Sequence, residues 1–189
     1  SIFTSLHLNT LRQFVGINAV VAYGGSIIKQ AVPSLRPIAP FILNFLTFLG
    51  AFFSIFLLVR FGRRPILQAG TFVLTVTLIF ITVGFFILDS AYTAGTVLII
   101  IGLLVYMFTF GATLGSVIWL YIAENVAGYI ILATALTWIF AVVVIVFFPI
   151  LKSALPGQSP AYLFLFFLLW TGISFIVNHK VLIETKGKT

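Results

Sequence analysis

Residues 38–59, IAPFILNFLTFLGAFFSIFLLV, run for 22 positions without a charged side chain. As a helix, such a run rises about 33 Å, enough to cross the roughly 30 Å hydrocarbon core of a bilayer. It stops at Arg60-Phe61-Gly62-Arg63-Arg64-Pro65, a short basic break. An apolar run of this length ending in clustered arginines reads as a membrane span followed by a loop.

The same pattern extends in both directions. Apolar runs and breakers divide the chain into six spans, at about residues 6–28, 38–59, 66–88, 93–122, 130–151 and 161–177. A polar tail follows at 178–189. The breaks hold Pro33, Arg36 and Pro37, then the arginine loop, then Asp89-Ser90, then Glu124 and Gly128, then Pro156, Gly157 and Pro160. The chain is 62% hydrophobic and 7% charged, with a mean hydropathy of +1.28. Soluble domains carry about 25% charged residues, and a chain this short has no core large enough to hide so much apolar surface from water. A β-barrel is the other backbone solution in lipid, but it requires alternating segments of about ten residues. The expected fold is therefore all-α and polytopic, an integral multi-pass membrane protein in contact with lipids.

The net charge of +7 comes from ten Lys and Arg against three acids. These bases sit mostly in loops and the tail, where they set topology, so no nucleic-acid partner is expected. Six spans place both termini on one face, with the arginine loop, Glu124, Lys180, Lys186 and Lys188. Lys29, Arg36, Asp89 and Lys152 fall on the other. The positive-inside tendency makes the first face cytoplasmic, in the plasma membrane or the equivalent side of an organelle membrane. The start, SIFTSLHLNT, lacks a signal peptide's charged region and an initiating Met, as in a fragment or a processed chain. There is no cysteine. His7 and His179 lie at opposite ends of the sequence, and no phosphate-binding, nucleophile-elbow or zinc motif occurs. No enzyme activity, metal or cofactor is expected.

Polar residues inside spans ask for more than packing. Arg12, Gln13 and Asn18 lie in the first span beside Gly16, Gly24 and Gly25. Arg12 either snorkels to an interface or faces a ligand. Gln13 and Asn18 are five apart and share a helical stripe poorly. A helix softened at glycine directs both into one cavity, where amides suit hydroxylated ligands. Asn44 in the second span is either interhelical glue or a ligand contact. Trp119 follows Gly111, Gly115 and Ser116. Trp138 and Trp170 suit an interface belt, and a Trp that reaches a cavity stacks on a sugar ring. Glu124 is either a weak surface partner of Arg63/Arg64 or part of a charge network that latches one conformation.

Four stretches together resemble the C-terminal half of a sugar porter of the major facilitator superfamily. Arg12-Gln13-Phe14-Val15-Gly16-Ile17-Asn18-Ala19-Val20 is similar to the family's QQxxGINAV on helix seven. Gly62-Arg63-Arg64 is similar to the GRR loop between helices eight and nine. Gly115 to Trp119 with Glu124 resembles the GPxxW…PE region of helix ten. Ile183 to Thr189, IETKGKT, resembles the PETKG signature after helix twelve. Their order and spacing cover nearly the whole chain.

The resemblance implies six helices equivalent to helices 7–12, one half of a major facilitator fold. It implies a sugar site at Gln13, Asn18, Asn44, Trp119 and Trp138, with Arg12 alongside. It also implies a cytoplasmic latch of Arg63, Arg64, Glu124 and Glu184 that holds the outward-facing state. Transport of a hexose-like sugar by alternating access then needs a second half. The departures are Arg12 in place of Gln, Val59 in place of an acid, Ser116 and Ala123 in place of prolines, Thr137 in place of an amide, and a shortened stretch from Glu124 to Trp138. They imply altered recognition at Arg12 and an incomplete latch. The partner is an N-terminal half, a second copy or a larger membrane complex. The alternative function is a non-transporting structural or accessory subunit derived from a sugar porter.

Overall fold

The computed structural model describes residues 2–31, 33–155 and 159–187, with backbone alone at residues 2, 22, 23, 27, 29–31, 126 and 127. Lys188, Thr189, Pro156 and Gly157 therefore lie outside the described residues, as does the side chain of Lys29. The described residues form eight α-helices and two single 3₁₀ turns, and contain no strand. The helices are α1 (Ile2–Phe14), α2 (Ile17–Ala31), α3 (Ala39–Arg60), α4 (Arg63–Ile87), α5 (Tyr92–Ala112), α6 (Leu114–Val126), α7 (Ile130–Ala154) and α8 (Ala161–Val181).

The apolar runs and their breakers place α3, α4, α7 and α8 close to the expected spans. Each is long and apolar enough to cross a bilayer, as is the α5–α6 pair over Tyr92–Asn125. Two expected spans are not single helices. The first breaks at Val15-Gly16 into α1 and α2, about 20 and 22 Å long, so only the two together match the bilayer. The fourth breaks at Thr113, whose φ of −126° and ψ of −90° are not helical. Ala123 leaves α6 uninterrupted where a proline would remove an intrahelical hydrogen bond, and in the first turn the Ser116 hydroxyl donates to Gly111 O (2.8 Å).

Helices α4 and α5 form the centre. α4 packs on α5 and α8, α3 on α5, and α1 on α7, α6 and α8. Small residues bring the α3 and α5 backbones together: a methyl group on Gly50 would collide with Phe108 O, and one on Gly111 with Thr47 O. Such close approach is the main source of helix association in lipid, where apolar burial alone favours no partner. About half of the apolar stretches of α4 and α5–α6 is buried (50% and 56%), against 17% in α3 and 22% in α7. α3 exposes Phe41, Phe45, Phe48, Phe52 and Phe56 along one face, and α7 exposes Trp138, Val142, Ile145 and Val146.

Candidate functional site

Two polar assemblies stand out, one at the break between α1 and α2 and one where helix ends meet the tail.

Gly16 makes the first. Its φ is +89°, a region that side chains rarely adopt. A Cβ there would lie 2.6 Å from Phe167 Cδ2 of α8. Across the break Gln13 and Asn18 meet, and Asn18 Nδ2 donates to Gln13 Oε1 at 3.2 Å. A straight helix could not have paired residues five apart so directly. Val15 O, released by the break, accepts from the hydroxyl of fully buried Tyr106 on α5 (2.9 Å). That bond satisfies a carbonyl that lipid cannot hydrate. Among the described residues, Gln13 Nε2 and Asn18 Oδ1 make no hydrogen bond and keep some accessible surface. The pair thus presents a free amide donor and a free carbonyl acceptor.

Arg12 sits in the last turn of α1, where the negative end of the helix dipole favours a cation. Its guanidinium lies over the Trp119 ring of α6, 4.9 Å from the centroid. The Trp119 face expected to stack on a ligand is therefore already shared with Arg12. Asn44 and Trp138 stand apart. Both are exposed, on α3 and α7, and Asn44 Nδ2 donates to Pro40 O of its own helix (2.9 Å). No described hydrogen bond or ring contact joins either to the Gln13–Asn18 pair. Thr137, in place of an amide, donates to Asn9 Oδ1 of α1 at 2.6 Å, so an amide does reach that spot from another helix.

The cavity of about 270 Å³ between α7 and α8 is unsuited to a polyol. It is lined by apolar side chains such as Phe14, Val144, Phe148 and Phe167, and a hydroxyl would find no partner there.

The second assembly joins the ends of α3, α4, α6 and α8. Arg63 Nη2 meets Glu124 Oε1 at 2.6 Å, and Arg63 Nε lies 3.2 Å from both carboxylate oxygens. Glu124 Oε2 also accepts from the Thr185 hydroxyl (2.6 Å). Glu184 accepts from the Arg63 and Arg64 amides at 2.9 and 3.2 Å, so the tail caps the orphan N–H groups that open α4. The Thr185 and Lys186 amides close on the same carboxylate. Any side chain on Gly62 would run into that carboxylate. Burial pushes the Glu184 carboxyl up, but the hydrogen bonds from Lys186, Arg63, Arg64 and Thr185 outweigh it and hold the group below its ordinary value. Arg64 Nη2 donates to His179 O (2.9 Å).

The residues expected to form this network, Arg63, Arg64, Glu124 and Glu184, do bond to one another and to the tail. No acid stands at Val59, but its backbone carbonyl accepts from Lys186 Nζ at 2.8 Å, tying α3 in by another atom. The Tyr121 hydroxyl, which sequence reading overlooks, accepts from the Ile183 amide (3.1 Å) and steers the tail back over the bundle. Also overlooked is a chain across three helices: His7 Nε2 meets Asn178 Oδ1 at 2.8 Å, and Asn178 Nδ2 donates to Thr71 Oγ1 at 3.1 Å. Among the described residues, no cluster of His, Cys, Asp or Glu is able to hold a metal.

The sequence profile of the family "Sugar (and other) transporter" matches residues 1–189. The chain belongs to this family. Among its relatives, hexose transporter 1 of Plasmodium yoelii yoelii is 29% identical over 95% of the chain and 36% of that protein. The glucose transport protein of Synechocystis is 27% identical over 100% of the chain and 42% of its own length. The fold matches that of the xylose transporter XylE from E. coli with a TM-score of 0.80 at 21% identity, over 100% of the chain and 40% of XylE. The chain is thus a membrane-embedded part of the major facilitator fold, of the sugar porter type. It spans about two fifths of the length of these relatives.

Proposed function

We propose that this chain is the C-terminal half of a sugar transporter, equivalent to helices 7–12, and that it moves a hexose-like sugar by alternating access. The observation that carries this reading is the Gln13–Asn18 pair at the Gly16 break. A discontinuous helix near the bilayer midplane is where transporters of this architecture bind substrate. The pair keeps a free N–H donor and a free acceptor, which suits vicinal hydroxyls of a sugar. Trp119 on α6, with Arg12 over its ring, borders the site on one side. Asn44 and Trp138 join the site from the exposed faces of α3 and α7 once a partner covers those faces. The partner is an N-terminal half, against which the phenylalanine row of α3 packs.

The Arg63, Arg64, Glu124 and Glu184 assembly is the cytoplasmic latch. It ties four helix ends together on the face that the arginine loop marks as cytoplasmic. While these bonds hold, the ends of α6 and α8 stay against α3 and α4, and the site opens only to the other side. Breaking them frees the cytoplasmic ends to part.

Uptake of radiolabelled hexose by proteoliposomes holding the full protein tests the proposal. Saturable uptake that falls at least about tenfold in Asn18→Ala supports it, as expected from losing hydrogen bonds in a desolvated site. Uptake that is absent, with the chain held in a stable complex with other membrane proteins, would point to an accessory subunit.

A further inference from the structure

We propose that the site at the Gly16 break takes an acidic sugar of the hexuronate type, whose carboxylate pairs with Arg12. The inference rests on the sugar-binding reading above and names the substrate class. Arg12 Nε is buried without a hydrogen-bond partner. The terminal guanidinium nitrogens make no hydrogen bond or ion pair among the described residues, and both keep accessible surface. A guanidinium carries five N–H donors, and these are unfilled among the described residues.

Among the described residues, no acid pairs with Arg12. Of its three acids, Glu124 is held by Arg63 and Thr185, and Glu184 by four backbone amides. Asp89 lies beyond the far end of α4 from Arg63. The dipole of α1 and the Trp119 face offset part of the cost of an unpaired cation in a bundle, but neither neutralises it. The contact with the indole leaves the guanidinium N–H groups without acceptors, and a guanidinium binds a carboxylate through two parallel hydrogen bonds. The next residue, Gln13, with Asn18 offers the donor and acceptor for hydroxyls. A ligand with a carboxylate at one end and hydroxyls at the other satisfies both groups. A neutral hexose leaves Arg12 unpaired, and a phosphate dianion brings more charge than one arginine neutralises.

The test is equilibrium binding of D-glucuronate and D-glucose to the full protein, in wild type, Arg12→Gln, Arg12→Lys and Asn18→Ala. The expected result is preference for glucuronate, weakened about ten- to hundredfold by Arg12→Gln and only partly by Arg12→Lys, which keeps the charge and guards against a misfolded Gln variant. The ratio of glucuronate to glucose affinity falls in Arg12→Gln, and that ratio is the readout. Asn18-dependent glucose binding without glucuronate binding, or glucuronate binding indifferent to Arg12→Gln, overturns the acidic-sugar inference and leaves the sugar site standing. Binding of neither sugar, or binding indifferent to Asn18→Ala, overturns both.

Discussion

Arg63 and Arg12 are the same side chain in two settings. Arg63 reaches a carboxylate through Nε and Nη2, and that carboxylate is further held by the Thr185 hydroxyl. Arg12 rests on an indole face with its donors unfilled. Both lie at helix ends, but Arg63 opens α4 and Arg12 closes α1. At the start of α4 the backbone amides draw in an acid, Glu184, which balances the cluster of cations. At the end of α1 the dipole itself favours the cation, and no acid is drawn in. The Arg63 cluster is therefore paired with acids of this chain, whereas Arg12 at the break meets no acid among the described residues.

The contrast fails first if the latch is dispensable. The Arg63 and Glu124 side chains are only 18% and 13% exposed, and removing one member of a buried pair leaves the other uncompensated. Glu124→Gln is expected to destabilise the protein by about 3 kcal/mol, read as a drop in melting temperature in detergent. A change below about 0.5 kcal/mol would place this pair with ordinary surface ion pairs.

Gly16→Ala comes next. It forces a positive φ on a side chain and pushes a methyl group into Phe167. A loss of about 2 kcal/mol in thermal stability is expected. An unchanged melting point would mean that the break closes into an ordinary helix without cost.

Tyr106→Phe removes only the hydroxyl that satisfies Val15 O. The expected loss is about 1 kcal/mol, with sugar affinity weakened through the loosened break. If the variant matches wild type in both, Tyr106 does not hold the break.

The smallest effect separates the two sites by pH. The folded state holds the Glu184 carboxyl below its ordinary value, so it binds this proton less readily than the unfolded chain. The resulting stability is present above the ordinary glutamate value of about 4.3 and is lost as pH falls through the depressed one. Wild type and Glu184→Gln should differ in melting point at neutral pH and converge in acid. A gap that stays constant with pH would show that the charge of Glu184 contributes nothing.

What the sequence made legible follows the same division. The bounds of α3, α4, α7 and α8 depend on local signals: an apolar run, then Arg63, Pro160 or a polar tail. The grouping of Arg63, Arg64, Glu124 and Glu184 was legible because they sit in short motifs at the ends of spans. The break was only half legible. Gly16 is visible in the sequence, but the apolar pattern runs straight through it. Phe167 from α8 and Tyr106 from α5 fix the break, and neither is near in sequence. The Arg12–Trp119 contact spans more than a hundred residues and carries no local signal. Asn44 and Trp138 lie on exposed faces of α3 and α7, away from the Gln13–Asn18 pair, and no local signal in the sequence told those faces apart.

The most direct measurement uses tryptophan emission. Replacing Trp138 and Trp170 by Phe in the full protein leaves Trp119 as this chain's sole tryptophan. Titrating sugar into that protein should change the Trp119 emission saturably, and the change should vanish in Gln13→Ala/Asn18→Ala. A Trp119 signal that stays flat while the same protein still transports the sugar would place the binding site away from the Gly16 break.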